Sequence, residues 1–579
     1  MSYIRSDKEF IKLMLNDAGE PKAEWTVDQW RTDFVKAYQS LGEEGLVIRL
    51  IGWKGSSQVS RTNVFFLDIL TKMNSGSITL PEINEFHFIR AEIGVGKADG
   101  FFPFFQSDKL KMESSIKAPL ENAAIWTPLN MIDKRKWQQL NAAYTFYEKP
   151  SFELQKARQL NSGTFQETVT SEVFYSVHSS HNHLLQEEIK NTYHIVMLSW
   201  EFPPAMLGGL GQHVWQLSRQ LVKAGHRVSL VTPHCLGAPK AESVEGIKVY
   251  RAKEVECSYD NFHLFVAQTN MNLVEQVQNV ASQQQITIIH AHDWLVGFAA
   301  RALKESMRLP IVSTIHALEE GRSNLDTKMQ QQTAKWEKLL ILHSETLIVC
   351  SEYMKKKVEK YINGKREIYV IPNGVALSVE GSDSVQEFIN RRSFSHLILF
   401  LGRMVPEKGI MTLIDAAKKI NESYPECLFI LAGKGPYLSD YKALVRQAGL
   451  EKHVLFIGYV NEYEKATLLE RCDMLIVPSV YEPFGIVAIE GMAAGKPVIA
   501  AKTGGLTSII KDGENGLLFE PGNGIDLCGK IYSLIENPTL CSKLREKAFN
   551  EVNQKYNWED VRDQTEAVYE TTVTTSSVQ

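Results

Sequence analysis

From Tyr193 onward, short β-branched runs alternate with segments of helical spacing, and this alternation restricts the chain to a parallel-sheet architecture. The runs are HIVMLS, RVSLVTP, ITIIHAH, IVSTIH, TLIVCS and IYVIPN, with the helix-spaced GQHVWQLSRQLVKAG between the first two. Strands of this kind are apolar on both faces and need cover on both sides, which crossover helices supply as βαβ units. A second series starts at Leu397 with LILFLGR, LFILAGKG, VLFIGYV, MLIVPS, PVIAAK and GLLFE. Two such series in 579 residues exceed what one hydrophobic core can hold, since single cores stop growing near ~250–300 residues. The expected class is therefore α/β, with two Rossmann-like lobes.

The seam between them is expected along VALSVEGSDSVQEFINRR, which is polar and interrupted by glycine. The first ~190 residues differ: a helical opening, VDQWRTDFVKAYQSL, precedes the strand-like LVIRLIGW, VFFLDIL, FHFIRAEIGV and FFPFFQ, the pattern of a small antiparallel module. The expected organisation is a β-rich accessory module over 1–116, a linker region over 117–192, a first lobe over 193–375 and a second over 376–579, with the last helix crossing back to the first lobe. Ligands of open α/β sheets sit beyond the carboxyl ends of the strands, so the chemistry is expected in a cleft between the lobes.

Charge narrows the partners. A net charge of −5 and a pI near 6.3 give no basic field for nucleic-acid phosphates. No apolar run approaches the ~18–20 residues of a membrane helix, and the amino terminus lacks a small-residue cleavage site, so the expected location is the cytoplasm. The seven cysteines are scattered without a CxxC pair and read as reduced thiols, Cys350 in TLIVCS as a small core hydrophobe.

Four motifs carry chemistry. Gly208-Gly209-Leu210-Gly211 joins a strand to a helix, where glycines admit close backbone approach and free amides favour phosphate. A dehydrogenase fingerprint GxGxxG is absent, as is the phosphate loop GxxxxGK[ST]. Gly402-Arg403-Met404-Val405-Pro406-Glu407-Lys408-Gly409 places a guanidinium and an ammonium at a strand-to-helix junction, suited to a departing diphosphate in place of a divalent metal. Glu482-Pro483-Phe484-Gly485-Ile486-Val487-Ala488-Ile489-Glu490 sets two carboxylates on either side of a helix start, and Glu490 inside an apolar run calls for a partner. His290-Ala291-His292-Asp293-Trp294 ends a strand; two histidines two apart share a face, which fits either cleft lining or a metal site. Cleft lining is preferred, because no third ligand stands at helical or turn spacing, and His316 reads as another lining residue.

Together these residues resemble the family-four glycosyltransferases of the GT-B fold, in a branch similar to glycogen and starch synthases, over about Tyr193 to Tyr569. The resemblance implies a retaining, metal-independent hexosyltransferase that uses a UDP- or ADP-linked sugar and a carbohydrate acceptor, with no other cofactor. Position by position it implies that Arg403 and Lys408 clamp the diphosphate, with Gly402 beside them. It makes Glu482 the carboxylate at the transferred sugar and Glu490 the ribose ligand. The amides of Gly485, Ile486 and Val487 would meet the donor, Gly209 would lie under the diphosphate, and His292 would stand near the sugar's 6-hydroxyl. The chain departs from the ADP-glucose-using members at Met206, where they carry lysine. A GT-B sugar-nucleotide epimerase and a non-catalytic glycan-binding scaffold are the alternatives. The amino-terminal module resembles a domain of unknown function; its Trp53, Phe101, Phe102, Phe104 and Phe105 read as a small core in preference to a glycan platform.

Overall fold

The structure is a computed structural model of the chain. It describes residues 10–15, 21–27, 31, 46–53, 64–71, 75–80, 86, 88–95, 102–106, 110–111 and 127–128, then all of 192–578 except 206–207, 256–261, 363–365 and 377–380.

The amino-terminal strands are β1 (Phe10–Leu15), β2 (Pro21–Thr26), β3 (Leu46–Trp53), β4 (Val64–Thr71), β5 (Ser75–Thr79), β6 (Phe88–Val95), β7 (Phe102–Gln106), β8 (Leu110–Lys111) and β9 (Thr127–Pro128). They form two antiparallel sheets, ordered β1-β2-β5 and β7-β6-β3-β4-β9, with β8 on β6. Register places Arg49 opposite Asp68, and the guanidinium grips that carboxylate with two bonds of 2.6 and 2.8 Å while lying over the Phe66 ring. Trp53 is buried with Ile51 and Phe66, in keeping with a core role; Phe101 and the side chains of Phe102 and Phe105 lie outside the described residues. The sheet takes in Thr127–Pro128, paired with Phe65 and Phe66, so the module extends past the boundary expected at 116. Two residues, one of them proline, carry no strand periodicity to find. The proposed linker and helical opening lie outside the described residues, apart from Thr127–Pro128, Thr192, Val27 and Arg31.

The module docks through Arg31, which pairs with Glu275 on the first-lobe helix Phe262–Ala281. Lys253 reaches the other oxygen of Glu275 at 3.2 Å. Burial works to raise the pKa of Glu275, but the two cations outweigh it and hold the carboxyl below its ordinary value.

The first lobe is an eight-stranded sheet of β10 (His194–Leu198), β11 (Arg227–Thr232), β12 (Ala241–Val244), β13 (Ile247–Arg251), β14 (Ile288–His292), β15 (Ile311–Ile315), β16 (Thr346–Val349) and β17 (Ile368–Val370). Its order is β12-β13-β11-β10-β14-β15-β16-β17, parallel except for the edge hairpin β12–β13. The central strands β10, β14, β15 and β16 are buried at every position, as their apolar runs require. The second lobe comprises β18 (His396–Leu401), β19 (Cys427–Ala432), β20 (Val454–Gly458), β21 (Met474–Val477), β22 (Val498–Ala501) and β23 (Leu517–Phe519), all parallel, in the order β20-β19-β18-β21-β22-β23. The two lobes give the α/β, GT-B-like arrangement expected. The polar seam contains a helix, Asp383–Asn390, tied to the second lobe where Thr467 Oγ1 accepts the Ser382 amide at 2.7 Å.

The helix Trp558–Val578 returns to the first lobe. Tyr569 is fully buried and its hydroxyl meets His290 Nδ1 at 2.6 Å, while Thr572 and Thr346 bond side chain to side chain at 2.8 Å. Cys350 is buried, and burial pushes its thiol up to about 12. Among the described residues, no helix is long and apolar enough to cross a membrane.

Candidate functional site

Each sheet reverses its winding at one place, and there the loops leaving adjacent strands diverge to open a crevice. In the second lobe the reversal falls between β18 and β21, which sets the Gly402–Gly409 loop beside the Ser479–Gly485 loop. In the first it falls between β10 and β14, which sets the segment after Leu198 beside the segment after His292.

The second-lobe loops are stitched together by backbone: Val480 N–H donates to Glu407 O at 2.9 Å, and Gly505 N–H to Glu482 O at 2.8 Å. After β18, Gly402 N–H donates to Ala432 O, which keeps the chain on the sheet until Arg403. A one-turn 3-10 helix, Pro406–Lys408, then ends at Gly409 with φ +68°. A Cβ there would fall 1.8 Å from Pro478 O, so only glycine lets this loop press on its neighbour. The consequence is that Lys408 Nζ meets Glu482 Oε2 at 2.7 Å, with Ser479 Oγ donating to the same oxygen at 3.1 Å.

Gly485, φ +119°, caps the helix Ile486–Ala493. Ala488 and Ile489 amides fold back on Gly485 O, which leaves those of Ile486 and Val487 without an acceptor inside the helix. Glu490, one turn further, is buried, and its Oε1 takes Lys465 Nζ at 2.6 Å; Glu462 holds the same ammonium at 2.8 Å. Burial raises Glu490's pKa against the pull of Lys465. The neighbouring carboxylates in turn raise that of Lys465, outweighing its own burial. The partner that Glu490 calls for in the sequence is thus Lys465, on the helix Glu462–Arg471.

On the first-lobe side four histidines meet. His290 uses both ring nitrogens, on the Tyr569 hydroxyl and on Thr314 Oγ1. His292 is fully buried, with Nδ1 3.1 Å from His316 Nε2 and Nε2 2.9 Å from Met197 Sδ. His213, one turn into the helix Gly209–Lys223, stands 4.8 Å from His316 ring to ring, and its Nδ1 donates to Asn373 Oδ1 at 2.6 Å. Burial pushes the pKa of His213 and His316 down to about 3 and lowers those of His290 and His292 as well, so all four imidazoles are neutral at pH 7.

Two expectations change here. His292 does not itself open on the cleft; it is covered, and the partly exposed His316 stands at its edge. A third histidine is present after all: His213 comes from a helix 79 residues earlier in the chain, where strand-based spacing could not find it.

The lobes touch across the crevice. Ser351 Oγ donates to Pro483 O at 2.6 Å, and the buried Tyr481 hydroxyl accepts the Leu318 amide at 3.1 Å. A Cβ on Gly209 would come 2.8 Å from Ile486 Cδ1, so the first-lobe glycine turn faces the start of the second-lobe helix. The arrangement therefore brings Gly209, Gly402, Arg403, Lys408, Glu482, Gly485, Ile486 and Val487 to the facing strand ends. Glu490 lies behind them. Met206 lies outside the described residues.

Two facing, largely parallel sheets, with the Lys408–Glu482 pair and the start of the helix Ile486–Ala493 at the switch point of the second, have the GT-B arrangement, and the comparisons identify the class as a glycosyltransferase. The model "Glycosyl transferases group 1" matches residues 384–551 and "Glycosyltransferase Family 4" matches 207–379, so neither reaches the amino-terminal module. An uncharacterised glycosyltransferase of Methanocaldococcus jannaschii is 32% identical over 387 residues, 65% of this chain and 97% of its own. The glycogen synthase of Mycobacterium tuberculosis is 30% identical over 395 residues, 65% of this chain and 94% of its own. Among solved structures, the sucrose-phosphate synthase of Thermosynechococcus elongatus superposes with a TM-score of 0.59 at 25% identity, covering 66% of this chain and 98% of that one. The chain belongs to the family-four glycosyltransferases. It is a transferase that moves a sugar from a nucleotide sugar.

Proposed function

We propose that the chain is a retaining hexosyltransferase that takes glucose from a UDP- or ADP-linked donor, passes it to a hydroxyl of a glucan or another glycan, and needs no divalent ion. The observation that carries the reading is the Lys408–Glu482 pair at the switch point of the second lobe, beside the open amides of Ile486 and Val487. As the bond between the anomeric carbon and the diphosphate oxygen breaks, its electron pair stays on the diphosphate. Lys408, Arg403 and the helix amides offset that charge, the work a metal does elsewhere. Glu482, shared between Lys408 and the sugar, supports the positive charge that grows on the anomeric carbon. The acceptor oxygen forms the new bond on the same face, and its proton passes to the departing diphosphate.

In this reading Gly209 and Gly402 let backbone approach the diphosphate, Gly485 presents its helix start to the donor, and Glu490, set by Lys465, takes the ribose. His292 acts on the sugar through His316, the partly exposed ring 3.1 Å from its Nδ1. The relation to a glycogen synthase supports glucose and a glucan acceptor. The test is a panel of UDP- and ADP-hexoses with candidate glycans in EDTA, read by mass spectrometry and by the anomeric configuration of the product. A product with the donor's anomeric configuration is expected. No transfer from any hexose donor, inversion, or activity that returns only with added magnesium or manganese overturns the proposal.

A further inference from the structure

We propose that His213, His292 and His316 form a binding site for a zinc-class transition ion, and that an ion there blocks sugar transfer. One ring nitrogen from each lies within 4.8 Å of the others, a grouping of three metal-binding side chains drawn from three separate elements of the first lobe.

The hydrogen bonds decide which lone pairs remain. Asn373 Oδ1 can only accept, so His213 carries its proton on Nδ1 and keeps a lone pair on Nε2. That Nε2 is buried without a partner, in a residue only 4% exposed, and an unsatisfied buried acceptor is costly to keep unless something binds it. A thioether accepts and does not donate, so His292 carries its proton on Nε2, toward Met197 Sδ, and keeps its lone pair on Nδ1. His316 Nε2 then donates to that nitrogen across 3.1 Å. An ion needs the Nε2 lone pair of His316, which a move of its proton to Nδ1 provides with no change in net charge.

The geometry is close to what zinc asks. Tetrahedral bonds of ~2.0–2.1 Å set ligand nitrogens about 3.4 Å apart, so His292 and His316 need to part only slightly while His213 moves inward. One supporting contact is of the kind a metal-binding histidine makes through its other ring nitrogen, and a second holds the backbone of His316. Asn373 fixes the His213 tautomer, and Asp293 Oδ1 accepts the His316 backbone amide at 2.7 Å. Three neutral imidazoles suit zinc, cobalt(II) or nickel(II) and offer nothing to magnesium or calcium, which take oxygen ligands. His316 is the partly exposed member, the side from which an ion would enter. An ion held there would lock His316, and with it His292, beside the proposed sugar position. This consequence rests on the function proposed above; the binding does not.

The experiment titrates the full chain, stripped with EDTA and dialysed, with cobalt(II) and then zinc. One equivalent of cobalt(II) with intense visible bands, displaced by zinc, is expected. Binding at least tenfold weaker is expected in both His213→Gln and His316→Gln, while His263→Phe, outside the cluster, binds as the parent does. Thermal melts in EDTA report whether each variant is folded; His316→Gln, at the partly exposed position, keeps the test decisive should His213→Gln unfold. Absence of intense bands, or bands unchanged in folded His316→Gln, overturns the site. Zinc should also slow transfer by the parent, and an unaffected rate with cobalt bands present overturns the blocking role. Should no donor be used at all, the proposed function fails, while the cobalt spectrum still reports on the site.

Discussion

Lys408 Nζ lies 2.7 Å from Glu482 Oε2, and the two residues are 74 positions apart in the chain. The contact exists because the strands before them, β18 and β21, are neighbours in the sheet although β19 and β20 intervene in sequence. Both groups remain partly open, at 26% and 13% side-chain exposure, so the pair can be reached by the diphosphate of the proposed donor.

Removal of either member should cost rate more than stability. Lys408→Ala and Glu482→Gln are each expected to lower kcat by roughly 10²–10³, the scale for losing one preorganised electrostatic contact at a developing charge. Thermal melts should move only a few degrees, since a partly exposed pair contributes about 0–1 kcal/mol. Steady-state rates close to those of the parent in either variant would remove that residue from the proposed chemistry.

Lys465 and Glu490 present the opposite case, because both are largely buried. Lys465→Met leaves the Glu490 carboxylate without its counter-ion and is expected to cost about 3–5 kcal/mol in urea unfolding. The double variant Lys465→Met/Glu490→Leu should recover much of that loss, since an apolar pair of similar volume has no charge to desolvate. Equal midpoints for the single and double variants would show that the burial of Glu490 is not what Lys465 offsets.

Gly409→Ala forces a side chain into the left-handed region, which costs about 1–2 kcal/mol before any clash is counted. Its Cβ would also meet Pro478 O at 1.8 Å, and the backbone cannot step aside as a side chain can. We expect a stability loss above ~2 kcal/mol together with weakened donor binding, since Lys408 is the preceding residue. Gly209→Ala meets only the end of the Ile486 side chain, and its unfolding midpoint should stay near the parent's. Calorimetry with the donor nucleotide and urea titration check both.

Stability should fall in mild acid. Burial pushes the His263 pKa down to about 4, from an ordinary value of 6.5, where its ring packs edge-on against Trp336 and its Nε2 meets Thr333 Oγ1. Between these two values the unfolded chain binds a proton that the fold refuses, so the contribution is complete above pH 6.5 and shrinks as pH drops toward 4. At pH 5 the loss from this residue approaches about 2 kcal/mol. His263→Phe should flatten the fall in urea midpoint between pH 6.5 and 5; an unchanged slope would assign that fall to other groups.

Much of the architecture is written in local pattern. The apolar runs and helical spacings after Tyr193 follow from side-chain periodicity along a few residues, and both sheets are built from the strands they mark, except that the first also carries the edge hairpin β12–β13, which no run marks. The glycines at 209, 409 and 485 were likewise legible, because strand-to-helix turns demand them nearby in sequence. The partnerships were not. Lys465 under Glu490, Tyr481 against Leu318, and the His213–His292–His316 cluster join residues 25, 163 and up to 103 positions apart. Such pairs depend on the order in which parallel strands assemble and on how one sheet faces the other. A linear pattern carries no distance between segments, so the burial of His292 and the neighbour that holds each charge emerge only once the crossovers have closed.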